Sequence, residues 1–338
     1  MSGRSTPSID GFGELSEIGR GGSSTVYAAL QEPLGRAVAI KVLQVDLGDE
    51  SARRRFEREC AVVGALGDAP GIVPVYAAVY TDDGRGCIVM RLMRSSLASV
   101  LERHGPLSVA QARAVGIAAA TALDHAHARG VVHRDVKPAN LLLSEFDEIA
   151  LADFDIASVG AIGASTTTQE SMSPPHAPPE RLNGDLHAGP AGDVWALGST
   201  LFTLLEGRPP FGSPSSEGGM AGLVDRVLHQ PMPEMRSDVP DAFVDAIGRA
   251  LRKDPSERWP DATSFAAALA AVPVETGDVV RWPAAPSGHS PVPQSAVAPA
   301  RATAPAADPP AARTWLAPVL IGVTVVIALV VALLLALG

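Results

Sequence analysis

The run His133-Arg134-Asp135-Val136-Lys137-Pro138-Ala139-Asn140, continued by Leu141-Leu142-Leu143, decides how this chain is read. Its polar side chains are of the catalytic kind and sit on a short loop between two hydrophobic segments. Asp135 can accept a proton from an attacking hydroxyl. Lys137 can neutralise charge on a transferring phosphoryl group. Asn140, joined by an acid from elsewhere in the chain, can offer oxygen to a divalent cation.

Upstream, residues 11–45 alternate glycine with apolar and β-branched residues, the pattern of strands joined by turns. Within them Gly19-Arg20-Gly21-Gly22-Ser23-Ser24-Thr25-Val26 is a glycine-rich turn whose backbone can approach phosphate oxygens with no Cβ in the way. Val38-Ala39-Ile40-Lys41 follows, an apolar strand ending on a lysine. In the next segment Phe56, Cys60, Val63 and Leu66 recur at helical spacing, so one face of a helix over 53–66 is expected to be buried. Glu59 borders that face and is the expected partner of Lys41; Glu57, its competitor, is read as solvated. Two further strands are expected over 72–80 and 86–93, then an Ala-rich helix over 108–129. Its His125 and His127 point apart at i, i+2 and are read as packed or solvated rather than as ligands.

Downstream of the opening stretch, Ile149 to Asp155 reads as a short strand ending in an acidic turn with Asp153 and Phe154. A Ser/Thr-bearing loop, 156–175, carries Thr166, Thr167 and Thr168. Pro178-Pro179-Glu180, Asp193-Val194-Trp195-Ala196-Leu197-Gly198 and Lys253-Asp254-Pro255-Ser256-Glu257-Arg258 complete the ordered set.

In this order the motifs resemble those of a bacterial eukaryotic-like (Hanks-type) serine/threonine protein kinase. The resemblance implies an α+β, bilobal fold over 10–272, with a β-rich N-lobe (about 10–92) and a mainly helical C-lobe (about 93–272). It implies ATP with Mg²⁺ (or Mn²⁺) in the cleft. Asp135, Lys137, Lys41 and Glu59 would serve catalysis; Asn140 and Asp153 would hold the metal. Ile18, Gly19, Gly21, Gly22, Val26, Ala39, Lys41, Met90, Met93 and Leu142 would surround the nucleotide, with backbone near Arg91 and Met93 on the adenine edge. Asp193 would brace the catalytic loop, and Glu180 would pair with Arg258. Arg134 would receive a phosphate on the 156–175 loop, so autophosphorylation at Thr166–Thr168 is expected, in a possible homodimer.

The sequence departs from the family pattern at Ser24 (often glycine), Arg91 (usually an acid), His176 (often aromatic), Pro178 (alanine) and Asp155 (glycine). Arg91, His176, Pro178 and Asp155 motivate the alternative reading, a catalytically weak scaffold that holds nucleotide at a membrane.

The formal net charge of −10 argues against nucleic acid as the main partner. The two cysteines, Cys60 and Cys87, lack metal-ligand spacing and are read as buried apolar thiols in a reducing compartment. Met1–Asp10 has no apolar core of a signal peptide. Residues 273–312 turn rich in Pro, Ala and Ser and are expected to be a disordered juxtamembrane linker. Leu316 to Leu337 carries no charge and is apolar on every face, as a membrane-spanning helix of about 20 residues requires. Arg301, Arg313 and Trp315 on its N-terminal side favour a cytoplasmic catalytic domain, single-pass anchoring in the cell membrane and a C-terminus at the outer face, with no outer domain. The expected partners are Ser/Thr-containing protein substrates and the lipid bilayer.

Overall fold

The computed structural model describes residues 6–47, 50–67, 69–154, 174–185, 188–274 and 280–283. The first lobe is an antiparallel sheet of β1 (Ser16–Arg20), β2 (Ser24–Gln31), β3 (Arg36–Asp46), β4 (Val75–Tyr80) and β5 (Arg85–Arg91), in the order β1-β2-β3-β5-β4. Period-two alternation splits β3 between two apolar clusters. Val38, Ile40 and Val42 face one way and join Leu15, Tyr27, Cys87 and Val89. Ala39 faces the other way, opposite Met90, and joins Ile88 and the helix α1 (Glu50–Gly64) through Phe56 and Cys60. Both thiols are buried, and burial pushes each up to about 12, as inert apolar cysteines should be. Ordered packing begins slightly before residue 10: Ile9 is buried in the outer cluster with Phe12 against it, and Asp82 N donates to Ser8 O.

A small sheet, β6 (Ser95–Ser96), β7 (Leu141–Leu143) and β8 (Ile149–Leu151), lies at the head of the helical lobe. The helices are α2 (Leu97–His104), α3 (Val109–His127), α4 (Pro179–Leu182), α5 (Pro190–Glu206), α6 (Gly219–His229), α7 (Asp241–Ala250) and α8 (Ala262–Ala270). Their starts are written locally. Ser96 caps α2, Ser108 and Gln111 form a reciprocal capping box on α3, and Asp261 caps α8. Every residue of α5 from Gly192 to Leu205 is buried, so this helix is the core of the lobe rather than an amphipathic cover. Gly198 lets α7 approach: a Cβ there would stand 2.8 Å from Ala250 Cβ.

One boundary needs correction. The expected linker from 273 is not uniformly unpacked, because Trp282 is only 9% exposed and belongs to the helical lobe's main cluster. Gln111 Nε2 donates to Arg281 O at 2.8 Å, fixing this short segment beside the start of α3. The Trp282 indole removes a large apolar surface from water, which offsets the entropy of ordering the chain around it. A local count of apolar residues misses a single anchor of this kind. Among the described residues no helix is long and apolar enough to cross a membrane; the run 316–337 lies outside them.

Candidate active site

The opening stretch of sequence folds as an irregular loop after α3, closed by a single 3-10 turn over Pro138–Asn140. Arg134 sits at φ 66°, a left-handed conformation that costs a non-glycine residue on the order of 1–3 kcal/mol. Buried Asp193, at the start of α5, holds it there: Oδ2 accepts from His133 N at 2.8 Å and Oδ1 from Arg134 N at 2.7 Å. This is the bracing expected of Asp193. His127 adds a contact that sequence reasoning missed, its Nε2 lying 2.8 Å from Asp193 Oδ2. No periodicity could have revealed it, since the partner lies on another helix. Thr200 Oγ1 donates to Val136 O, and the Arg181 guanidinium donates to Arg134 O.

His133 is fully buried. Its Nδ1 accepts from Asp135 N at 3.2 Å and its Nε2 lies 2.9 Å from Ala152 O, so the proton is on Nε2. Its ring packs 4.5 Å from that of Phe154, which ties the catalytic loop to the Asp153 segment. Asp153 also takes a left-handed conformation, φ 61°.

The functional side chains converge on this frame. Asn140 Nδ2 donates to Asp135 O at 2.8 Å and Oδ2 at 3.0 Å, and Lys137 Nζ lies 2.7 Å from the same Oδ2. With both amide protons directed at Asp135, Asn140 keeps its carbonyl oxygen for a cation. Across the cleft Lys41 Nζ lies 2.9 Å from Asp153 Oδ1. Burial pushes the Asp153 carboxyl up, but the Lys41 ammonium outweighs it and holds the group below the usual carboxylate range.

Here the expectation of a Lys41–Glu59 pair is corrected, because the Lys41 ammonium sits on Asp153 instead. The physical reason is proximity: at 2.9 Å the Asp153 carboxylate attracts the ammonium strongly, because Coulomb energy grows as the separation falls. Glu59 does face inward, with a buried carboxylate oxygen, whereas Glu57 turns outward and accepts from Tyr80 Oη at 2.8 Å. The choice of Glu59 over Glu57 as the inward residue therefore agrees with the geometry.

Val26, Ala39, Met90, Met93 and Leu142 gather in one apolar cluster under the sheet, with Ala150 and Ala152 as its floor. Ile18 stands apart on β1, 46% exposed. Gly19 pairs with Val26 near the end of β1, and Gly21 and Gly22 form the β1–β2 turn, closed by Gly21 N donating to Ser24 O at 2.8 Å. None of the three has positive φ, and a Cβ on any of them would meet no protein atom closer than 3.7 Å. The fold alone does not demand glycine there; a ligand lying close to the turn would.

These residues fit ATP and a magnesium-type ion. Asn140 and Asp153 would offer one amide oxygen and one carboxylate, a sparse oxygen set suited to a hard cation completed by phosphate and water. Among the described residues no group of three His, Cys, Asp or Glu could hold a metal by itself.

Two features steady the helical side. Arg258, fully buried, grips Glu180 through Nη1–Oε1 at 2.8 Å and Nη2–Oε2 at 2.7 Å, the pair the motifs implied. His176 is buried with Nδ1 3.0 Å from Ser199 Oγ. Burial lowers it to about 4 from an ordinary 6.5, with smaller opposed effects of Asp135 and Lys137. The unfolded chain thus takes up this proton first as pH falls. The stability His176 contributes is present above pH 6.5 and is lost as pH drops towards 4. His176→Phe keeps the ring volume and leaves Ser199 Oγ donating to Pro175 O. Urea unfolding at about pH 7 and about pH 5 is expected to show a smaller loss of stability for the variant than for the wild type; equal losses would remove His176 from the acid response. Asp155 and the 156–173 loop with Thr166–Thr168 lie outside the described residues.

A β-rich lobe over a helical lobe, with a glycine turn, a lysine–aspartate pair and an Asp/Lys/Asn loop between them, defines a nucleotide-dependent phosphotransferase class. The family model described as protein kinase domain matches residues 12–269. Serine/threonine-protein kinase PknK of Mycobacterium tuberculosis is 40% identical over 250 residues, which cover 73% of this chain and 22% of PknK. PknJ of the same organism is 38% identical over 282 residues, 80% of this chain and 47% of PknJ. A crystal structure of the Mycobacterium tuberculosis PknI kinase domain, a single-site mutant, superposes with a TM-score of 0.60 at 30% identity, covering 80% of this chain and 98% of that one. The chain belongs to the protein kinase family. It spans under half the length of these curated relatives.

Proposed function

We propose that this chain transfers the γ-phosphoryl group of ATP to Ser/Thr hydroxyls of proteins, its own 156–175 loop among them. The observation that carries the reading is the convergence of Lys137 and Asn140 on the Asp135 carboxylate, facing the Lys41–Asp153 pair. Kinases named as serine/threonine-specific are its relatives. ATP would supply the phosphoryl group, and Asn140 and Asp153 would hold a Mg²⁺ or Mn²⁺ ion whose charge would offset that of the phosphates. Asp135 orients the substrate hydroxyl and takes its proton. Lys137, already beside Asp135, stabilises charge on the transferred group. Lys41 positions the phosphates, and the glycine turn offers backbone N–H groups to them. Arg134 is the cation that would receive a loop phosphate.

The test is incorporation of labelled phosphate from ATP into the full chain and into a generic Ser/Thr protein, with Asp135→Asn as control. Incorporation on Ser/Thr that the control lacks supports transfer. A wild type no better than the control favours the second reading, a nucleotide-binding scaffold, which the Lys41–Asp153 pairing and Asp155 motivate.

The same reading puts the chain in the cell membrane through 316–337, with the kinase domain cytoplasmic and 284–312 as tether. The uncharged apolar run and the arginines before it support this. Full-length protein is expected to float with membranes and a chain lacking 313–338 to stay in the soluble fraction; equal partition would exclude the anchor.

A further inference from the structure

Arg91 stands where the family resemblance expects an acid, and the fold supplies acids from the opposite lobe. Arg91 Nη1 lies 3.6 Å from Glu148 Oε2. Arg94 Nη2 lies 2.7 Å from Asp147 Oδ1, a charge contact by distance whose N–H does not point along the line of a hydrogen bond. Between the two arginines runs the backbone of Leu92 and Met93, the stretch that meets the adenine edge if the chain uses ATP.

Both acids sit on the β7–β8 turn, which is internally fixed. Ser144 Oγ accepts from Phe146 N and Glu148 N, each at 3.1 Å, and donates to Glu148 Oε2 at 3.2 Å. Ser144 N donates to Glu148 O at 2.9 Å. Asp147 has φ 63°, a conformation that Asp and Asn tolerate better than other side chains do. The backbone runs in parallel with the side chains: Arg94 N donates to Leu143 O at 2.8 Å, and Ser95 pairs with Leu143 across β6 and β7. The turn is therefore a rigid acidic post beside the segment that joins the lobes.

We propose that Arg91–Glu148 and Arg94–Asp147 form an ionic clasp that holds the 91–94 backbone in place for the purine base. The four side chains are positioning residues, acting through the backbone that touches the base. This rests on the kinase reading above. Ion pairs with this much exposure are worth a factor of a few each and weaken with salt, so the effect belongs in nucleotide affinity rather than in turnover.

The experiment compares full-length wild type, Asp147→Asn with Glu148→Gln, Arg91→Glu, and the swap Arg91→Glu with Glu148→Arg. The probe is a fluorescent ATP analogue for Kd, with steady-state KM for ATP, KM for protein substrate and kcat beside it. Asn keeps the left-handed residue tolerated, and Gln keeps the acceptor for Ser144. The neutral pair is expected to weaken nucleotide binding about fivefold, with kcat and protein-substrate KM within about twofold. Raising the salt should weaken binding to the wild type more than to the neutral pair. Arg91→Glu alone should bind worse, and the swap should recover the wild-type Kd. Unchanged Kd in the neutral pair, no recovery in the swap, or equal loss of kcat and affinity overturns the clasp. Kd is read without turnover, so a wild type that binds nucleotide but fails to transfer counts against the kinase reading and leaves the clasp to be decided by the Kd values.

Discussion

Asp135→Asn is expected to slow phosphoryl transfer by about 10²- to 10⁴-fold, the range for loss of a positioned general base. The substitution is nearly isosteric and keeps a carbonyl oxygen for Lys137 Nζ, which lies 2.7 Å from Oδ2 in the native site. It removes the ability to take a proton, and with the carbonyl oxygen at the Oδ2 position Asn140 Nδ2 keeps its acceptor as well. The loop should keep its shape, because Asp193 holds His133 N and Arg134 N from outside the substituted side chain. The loss should therefore fall on kcat, with nucleotide affinity close to wild type. Single-turnover transfer and nucleotide binding separate the two. A variant that retained wild-type transfer would move the proton acceptor elsewhere and end the assignment of Asp135.

Glu180→Ala is expected to destabilise the helical lobe by about 3–5 kcal/mol, the cost of removing one partner of a buried ion pair. Arg258 has no exposed side-chain surface, and its guanidinium would remain charged in the core. Some of its donors keep carbonyl acceptors at Ala191, Arg252 and Lys253, and Trp195 stacks 5.0 Å from its centre. Those contacts orient the group without neutralising it. Against a total stability of about 5–15 kcal/mol for a domain, the loss is large. Glu180→Gln should cost less, since one acceptor survives, and Arg258→Met added to Glu180→Ala should recover part of the loss. Urea unfolding of the three variants checks the order; a loss below about 1 kcal/mol for Glu180→Ala would show that the carbonyl cage suffices.

Much of the fold could be read from the chain because its signals are local. The strand pattern up to residue 45, the Ala-rich run over 108–129 and the spacing of Phe56, Cys60 and Val63 each act within a few residues, and β3, α3 and α1 formed near where expected. The helix expected over 53–66 begins at Glu50, because the buried face does not mark where the first, solvent-facing turn starts. Of the residues the resemblance assigns to the nucleotide, Val26, Ala39, Met90, Met93 and Leu142 share one apolar cluster.

What remained hidden involves partners distant in sequence. His127 and Asp193 sit on different helices, Trp282 returns to the helical core after α8, and Arg91 meets an acid on the β7–β8 turn. For Lys41 the sequence offered Glu59 and Glu57, and the fold brings its ammonium to Asp153 at 2.9 Å.

The sequence by itself determined the protein kinase family and its two-lobed architecture, and it named candidates for moving a proton, holding a cation or meeting a phosphate. Backbone hydrogen bonding and side-chain periodicity are short-range and are written residue by residue. Only the tertiary structure decided which charges pair, which histidine braces Asp193, where the packed domain ends and how the arginine at the hinge is satisfied. Those outcomes depend on distances between segments remote in sequence, and electrostatic preference changes with every ångström of separation and with burial.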